Sequence, residues 1–210
     1  MVEPALVARF KAALERLNPE GGKIGLAVSG GPDSMAMLLL AQAAIPGAFE
    51  VATVDHGLRP EAKDECALVA AACAERGVPC AVLTVEVGAG NVQAKAREAR
   101  YAALIIWAQA RGIDALATAH HMEDQAETLL LRLNRGSGVS GLGSIRHSVL
   151  YIEANSLFYV IRPLLEFRRQ ELRSVLRGSG ERFASDPSNL DDRFDRVRMR
   201  KAMEAAYWLD

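Results

Sequence analysis

The chain has 210 residues, 50% hydrophobic and 24% charged, with 25 Lys/Arg against 26 Asp/Glu for a net charge of −1. That length supports one α/β domain with a sizeable core, and the ordinary, balanced composition excludes a disordered or globally basic protein. The most apolar run, MAMLLLAQAAI, is too short to span a bilayer and is broken by Gln42, so no membrane partner is expected. The first segment, MVEPALVARFKAALERL, carries Glu3, Arg9, Lys11 and Glu15 through what would be the apolar centre of a signal peptide, so it reads as an amphipathic helix and a cytoplasmic location is expected.

In chain order, residues 23–29 (KIGLAVS) read as a strand and 32–45 as a helix; 49–56 (FEVATVDH) as a strand and 59–77 as a helix with Pro60 near its start and Gly77 as its stop. Residues 78–87 read as a third strand, followed by a long helix over 91–112 capped by Asn91 and closed by Gly112. Residues 113–120 (IDALATAH) make a fourth strand and 122–136 a helix ending at glycine. Four such alternations predict a parallel twisted sheet with helices on both faces. Beyond Gly136 come a glycine-rich loop, two strands turning at Asn155-Ser156, a basic helix, a DPSN turn and a last helix. The whole is read as one domain over 1–210, with its core at about 20–143 and a hairpin and basic helical extension at about 144–210.

Cys66, Cys73 and Cys80 are odd in number, lack any C-x-x-C pair and enclose no histidine, which argues against a disulfide framework or a zinc site. Their spacing puts Cys66 and Cys73 on one helix face, as core residues.

Ligands in parallel sheets sit beyond the carboxyl ends of the strands. Three polar groups follow predicted strands: SGGPDS (29–34), VDHG (54–57) and TAHHMED (118–124), which predicts that they share one crevice. In the first, Gly30 and Gly31 permit close backbone approach, Ser29 and Ser34 add hydroxyls, Pro32 opens a helix, and the helix N-terminus favours an anion. It is neither a Walker A loop, lacking the lysine, nor a nucleophile elbow. Asp33 inside an anion site repels phosphate unless a cation lies between them, and Mg²⁺ resolves that conflict.

SGGPDS also matches the S-G-G-x-D-S signature of the PP-loop ATP pyrophosphatases. Within that superfamily the chain resembles the tRNA(Ile)-lysidine synthetases, through SGGPDS, VDHGLR (54–59), AREARY (96–101), TAHHMEDQAETLLLRLNRGSGVSGL (118–142), RPLL (162–165) and DPSNLDDRFDR (186–196), in the family's order. The resemblance implies a Rossmann-like PP-loop fold and a two-step reaction. ATP adenylates the C2 oxygen of the wobble cytidine of a tRNA(Ile) with a CAU anticodon, releasing pyrophosphate; the amine of L-lysine then displaces AMP. It further implies a catalytic domain without the C-terminal tRNA-binding domains that many relatives carry. The family's R-N-R-I-R is RVRMR here, so Val197 stands in place of an asparagine.

On this reading Ser29, Gly30, Gly31, Pro32, Asp33 and Ser34 hold the ATP phosphates, with Asp33 reaching Mg²⁺, and Asp55 and His56 lie near the adenosine. Arg97 and Arg100, three apart on one helix face, are placed to neutralise charge at the α-phosphate, although a solvated basic face has the same spacing. His121, Asp124 and Glu127 crowd the start of a helix; His121 and Asp124 are read as catalytic, against the alternative that the acids merely cap the helix.

From Arg162 to Lys201 eleven Arg/Lys face seven Asp/Glu. Arg168, Arg169, Arg173 and Arg177 recur at helical spacing, and Arg193, Arg196, Arg198, Arg200 and Lys201 cluster near the end. Of these, Arg168, Arg169, Arg173, Arg196, Arg198 and Arg200 are expected on the tRNA backbone, against the alternative of salt-bridged helix surfaces. Two other activities fit parts of the pattern: another PP-loop tRNA-modifying enzyme, such as a tRNA 2-thiocytidine synthetase, which ordinarily needs C-x-x-C cysteines, and a non-catalytic adenine-nucleotide module, which gives Asp33 no purpose.

Overall fold

The computed structural model describes residues 2–88, 92–136, 143, 145–153, 156–185 and 195–205. The first helix, α1 (Pro4–Leu17), buries Leu6, Phe10 and Leu14, spaced four apart along one face. Then follow β1 (Ile24–Ala27), α2 (Pro32–Ala44), β2 (Phe49–Asp55), α3 (Glu61–Ala74), β3 (Cys80–Thr84), α4 (Val92–Ala110), β4 (Ala115–Ala117) and α5 (Met122–Asn134). The chain continues through β5 (Ser148–Glu153), β6 (Ser156–Ile161), α6 (Arg169–Ser179) and α7 (Asp195–Ala205). Asn91, the glycine-rich loop over 137–142, Asn155, the DPSN turn and Arg193 lie outside the described residues, as does the side chain of Arg196.

One six-stranded sheet has the order β3-β2-β1-β4-β6-β5. β1 pairs in parallel with β2 (Ile24 opposite Phe49) and with β4 (Ile24 opposite Ala115). The hairpin predicted after the glycine loop continues this sheet: β6 runs parallel to β4, and β5 antiparallel to β6. Its residues enter the common interior, since Ile161 and the α6 residues Leu172, Val175 and Leu176 share one buried cluster with Leu26 and Met37.

α2 has no polar face along its middle. Every residue from Ser34 to Ala41 is buried, because α1 and α6 cover the side turned away from the sheet. On the opposite face Tyr101, Leu104, Ile105, Trp107 and Ala108 of α4 pack on Ala52, Leu116 and Val160. Gly25 lets Trp107 lie directly on the strand, for a Cβ there would stand 2.9 Å from the indole ring. Cys66 and Cys73 are buried on α3, as their spacing predicts, and burial pushes the Cys66 thiol up from its ordinary pKa.

The strand order places the site. Successive strands run outward from β1 through β2 to β3, then the chain returns to lay β4 on the other side of β1. The carboxyl ends of β1 and β4 therefore bound a topological switch point, where open α/β sheets bind ligands. SGGPDS follows β1, and the His120–Asp124 segment follows β4. Among the described residues, no helix is long and apolar enough to cross a membrane.

Candidate functional site

A cavity of about 1150 Å³ opens over this switch point. The loop after β1 lines it. Ser34 Oγ donates to the Gly31 carbonyl at 2.9 Å and accepts from the Ser29 N–H at 3.2 Å, so the two serines close the loop on itself. No side chain caps α2, and Pro32 occupies its first turn, so the remaining first-turn N–H groups face the cavity as a ready anion site.

The two loop glycines differ. Gly30 has φ +84°, and a Cβ there would sit 3.2 Å from the Glu65 carbonyl oxygen; Gly31 has φ −71° and open space around it. Gly30→Ala should therefore cost about 1–3 kcal/mol of stability, clearly more than Gly31→Ala, in paired urea-unfolding curves. Equal losses would show that the left-handed turn is not what requires glycine.

Asp33 stands at the start of α2, with its side chain 32% exposed, and its Oδ2 lies 3.4 Å from His121 Nε2. His121 is itself only 1% exposed and sits beneath the cavity wall. Its Nδ1 faces Glu123 Oε2 at 3.0 Å, as an ion-pair contact without hydrogen-bond alignment, and Asp124 Oδ2 is 3.7 Å from Nε2. Burial alone would lower the imidazole pKa. The adjoining carboxylates of Asp33, Glu123 and Asp124 overcome it and raise the pKa to about 9. Burial works the other way on Glu123, but the imidazolium and the backbone N–H of Arg169 hold its pKa down at about 2. The surrounding carboxylates thus favour the imidazolium form of His121 at neutral pH.

This has a signed consequence for stability. A raised histidine pKa contributes stability that is complete below the unfolded value near 6.5 and is lost as pH climbs through about 9. In metal-free, nucleotide-free buffer the unfolding free energy should fall by about 3 kcal/mol across that window, and His121→Gln should flatten the profile. An unchanged slope in the variant would remove His121 as the cause.

Asp124 both caps and lines. Its Oδ2 accepts the His121 backbone N–H at 3.0 Å, realising the capping alternative, while its carboxylate also faces the cavity. Glu127 is deeper, at 1% exposure. Its Oε1 takes Arg200 Nε at 2.7 Å and Arg169 Nη2 at 3.2 Å, and its Oε2 takes Arg200 Nη2 at 3.2 Å. That carboxylate raises the Arg200 pKa above the usual arginine value.

The other predicted residues separate. Arg100 lines the cavity, and burial draws its pKa below the ordinary value; Arg97 is exposed, stacks over the Tyr101 ring at 4.9 Å and does not line it. His56 lines the cavity, whereas Asp55 is buried and uses Oδ1 to accept the Gly57 N–H at 2.9 Å, holding the turn after β2. Arg169, Arg173 and Arg200 line it; Arg168 is exposed at the α6 N-terminus, and Arg198 pairs with Asp195 at 2.5 Å, both outside the lining. Val197 is buried and lines the cavity, so an apolar group stands where the family pattern has an amide.

Sequence reasoning passed over Glu123, although it directly follows the histidine pair, because an acid in a helix first turn has a sufficient local explanation. It also passed over Phe183, an isolated aromatic between α6 and the DPSN turn, which lines the cavity beside Arg177 and Lys201.

Residues 3–206 match a family model described as the PP-loop domain. The chain is 47% identical over 197 residues to a tRNA(Ile)-lysidine synthase from Novosphingobium aromaticivorans, covering 93% of this chain and 60% of that protein. It is 44% identical over 195 residues to the protein of the same name from Zymomonas mobilis, covering 92% and 59%. The chain therefore spans about 60% of the length of these curated relatives. Among solved structures, the U34-tRNA thiolase NcsA from Methanococcus maripaludis with its 4Fe-4S cluster superposes with a TM-score of 0.74 at 16% identity, over 97% of this chain and 74% of that one, a likeness of fold.

Proposed function

The chain belongs to the PP-loop domain family, and from that premise we propose that it uses ATP to join L-lysine to the wobble cytidine of a tRNA(Ile) with a CAU anticodon. The observation that carries the reading is the convergence, over one switch point, of an uncapped glycine-loop helix, the carboxylates Asp33 and Asp124, and a wall of arginines. The tRNA(Ile)-lysidine synthase name of relatives at 47% and 44% identity supports the choice of RNA and amino acid.

Each part of the cavity has a task. Ala27, Ala52 and Val54, with Tyr101 and Leu104 behind them, form an apolar floor that suits a purine ring. Ser29–Ser34 and the first-turn N–H groups of α2 take the phosphates. The cytidine C2 oxygen attacks the α-phosphorus, the bond to the β-phosphate oxygen breaks, and pyrophosphate leaves. Arg100, at the edge of the cavity, stabilises charge that grows on the α-phosphate oxygens. The lysine amine then attacks C2, AMP departs with the C2 oxygen, and Asp124 receives the proton the amine loses. His121, buried and already protonated, is a positioning residue that holds Asp33 in place.

Asp33 is the proposed Mg²⁺ ligand. It offers a partly exposed hard oxygen, and the described residues gather no group of three or more His, Cys, Asp or Glu as a ready-made metal cage, which suits an ion that draws most of its ligands from phosphate and water. When bound, the ion supplies charge neutralisation between that carboxylate and the polyphosphate. Both substrates place the reaction in the cytoplasm.

The reading is tested by incubating the chain with Mg-ATP, labelled lysine and tRNA(Ile) bearing CAU, following label on the tRNA together with AMP. Label transferred to that tRNA and not to one with another anticodon supports it. AMP formed without transfer would point to a different acceptor, and ATP bound without turnover would favour a nucleotide-binding module.

A further inference from the structure

We propose that Phe183 is a stacking platform for an unstacked base of the RNA substrate, with Arg173 and Arg177 holding the adjoining phosphates. The inference rests on the RNA-modifying reading above and assigns the part of the cavity that would receive the RNA.

The cavity crosses the edge of the sheet from one face to the other. On one side its wall is α4, whose Tyr101 and Leu104 belong to the core cluster packed on Ala52 and Leu116. On the other side it is α6 and the segment after it, with Leu172 and Val175 rooted in the opposite cluster. The Ser29–Ser34 loop lies between the two walls. A nucleotide with its base on the α4 wall and its phosphates on the loop leaves the α6 wall to the second substrate.

Phe183 is on that wall and is 47% exposed. Its backbone is not loose. Gly180 ends α6 in the left-handed conformation, Glu181 pairs with Arg76 at the end of α3, and the Ala184 N–H donates to the Gly30 carbonyl at 2.8 Å. The segment is therefore tied to both α3 and the phosphate loop, yet it presents its one aromatic ring to the cavity and not to the core.

Two cations share its cavity. Arg173 and Arg177, one helical turn apart on α6, line the same cavity and have no carboxylate partner among the described residues. Arg169 and Arg200, by contrast, are committed to Glu127. An aromatic face that shares a cavity with guanidinium groups is the combination that holds single-stranded RNA, stacking on a base while charge meets the backbone. An anticodon loop supplies such bases without opening a duplex.

The test titrates the full chain with an anticodon stem–loop RNA carrying a fluorescent purine analogue next to the wobble position, and measures ATP affinity separately without RNA. Phe183→Ala should weaken stem–loop binding by about tenfold or more and abolish quenching of the analogue. Phe183→Trp should restore both and Phe183→Leu neither, which separates stacking from simple apolar contact. ATP affinity should be unchanged in all three. Arg177→Ala should keep the quenching and reduce the salt dependence of binding by about one phosphate contact.

Wild-type RNA affinity in Phe183→Ala would overturn the proposal. So would a loss of ATP affinity in its place, which would reassign the ring to the adenine. Failure of the unmodified chain to bind the stem–loop at all would remove the RNA reading itself, and is told apart because it is read before any substitution is made.

Discussion

Asp33→Asn is expected to lower AMP formation by at least about a thousandfold, roughly 4 kcal/mol of barrier, with little change in the fold. Asparagine has the size of aspartate and fits the first turn of α2, so the loop geometry, set by Gly30 and the two serines, should survive. What is lost is the negative charge at the one place where the α2 N-terminus, the buried imidazolium of His121 and the proposed Mg²⁺ meet. The imidazolium keeps Glu123 at 3.0 Å and Asp124 at 3.7 Å, so it does not become an isolated buried charge. AMP release under saturating Mg-ATP, paired with a thermal melt, checks both halves. Turnover within tenfold of wild type would remove Asp33 from the chemistry. A collapse in melting temperature would instead make it a structural residue.

Glu127→Ala should produce the largest stability loss outside the hydrophobic core, about 3–5 kcal/mol. This carboxylate is almost completely buried and bridges Arg169 on α6 and Arg200 on α7 to α5. Removing it takes from two guanidinium groups the buried carboxylate they share, at the junction of three helices. Glu127→Gln keeps volume and one acceptor and should lose less. Urea unfolding with both variants checks this, and a loss under about 1 kcal/mol for the alanine variant would show that the pair is worth no more than an exposed one. Because Arg200 and Arg169 also line the cavity, the same substitution should raise the apparent KM for RNA more than that for ATP.

The two outcomes also separate what could be read locally from what could not. SGGPDS announces itself because glycine at a left-handed position, proline in a helix first turn and an acid among anion donors are requirements met within six consecutive residues. The alternation of strand and helix was legible for the same reason: each element carries its own periodicity, and glycines such as Gly77 and Gly112 mark its ends. The arginines of the last third were not legible individually. Arg168, Arg169, Arg173 and Arg177 share one spacing, yet Arg168 is exposed, Arg169 grips Glu127, and Arg173 and Arg177 line the cavity with no carboxylate partner among the described residues. A guanidinium's role depends on which carboxylate reaches it, and Glu127 lies 42 positions from Arg169 and 73 from Arg200.

By itself, then, the sequence determined the parallel α/β architecture, the glycine turn that opens α2 and the strand ends that flank it, since those follow from short-range sterics and periodicity. Only the tertiary structure decided that the hairpin completes the same sheet, that Arg100 and not Arg97 reaches the cavity, that Asp55 holds a turn, and that His121 is buried between Asp33 and Glu123. The physical reason is common to all four. Strand pairing, desolvation and charge pairing are set by groups far apart along the chain, and their energies exist only once the fold has brought those groups within a few ångströms of each other.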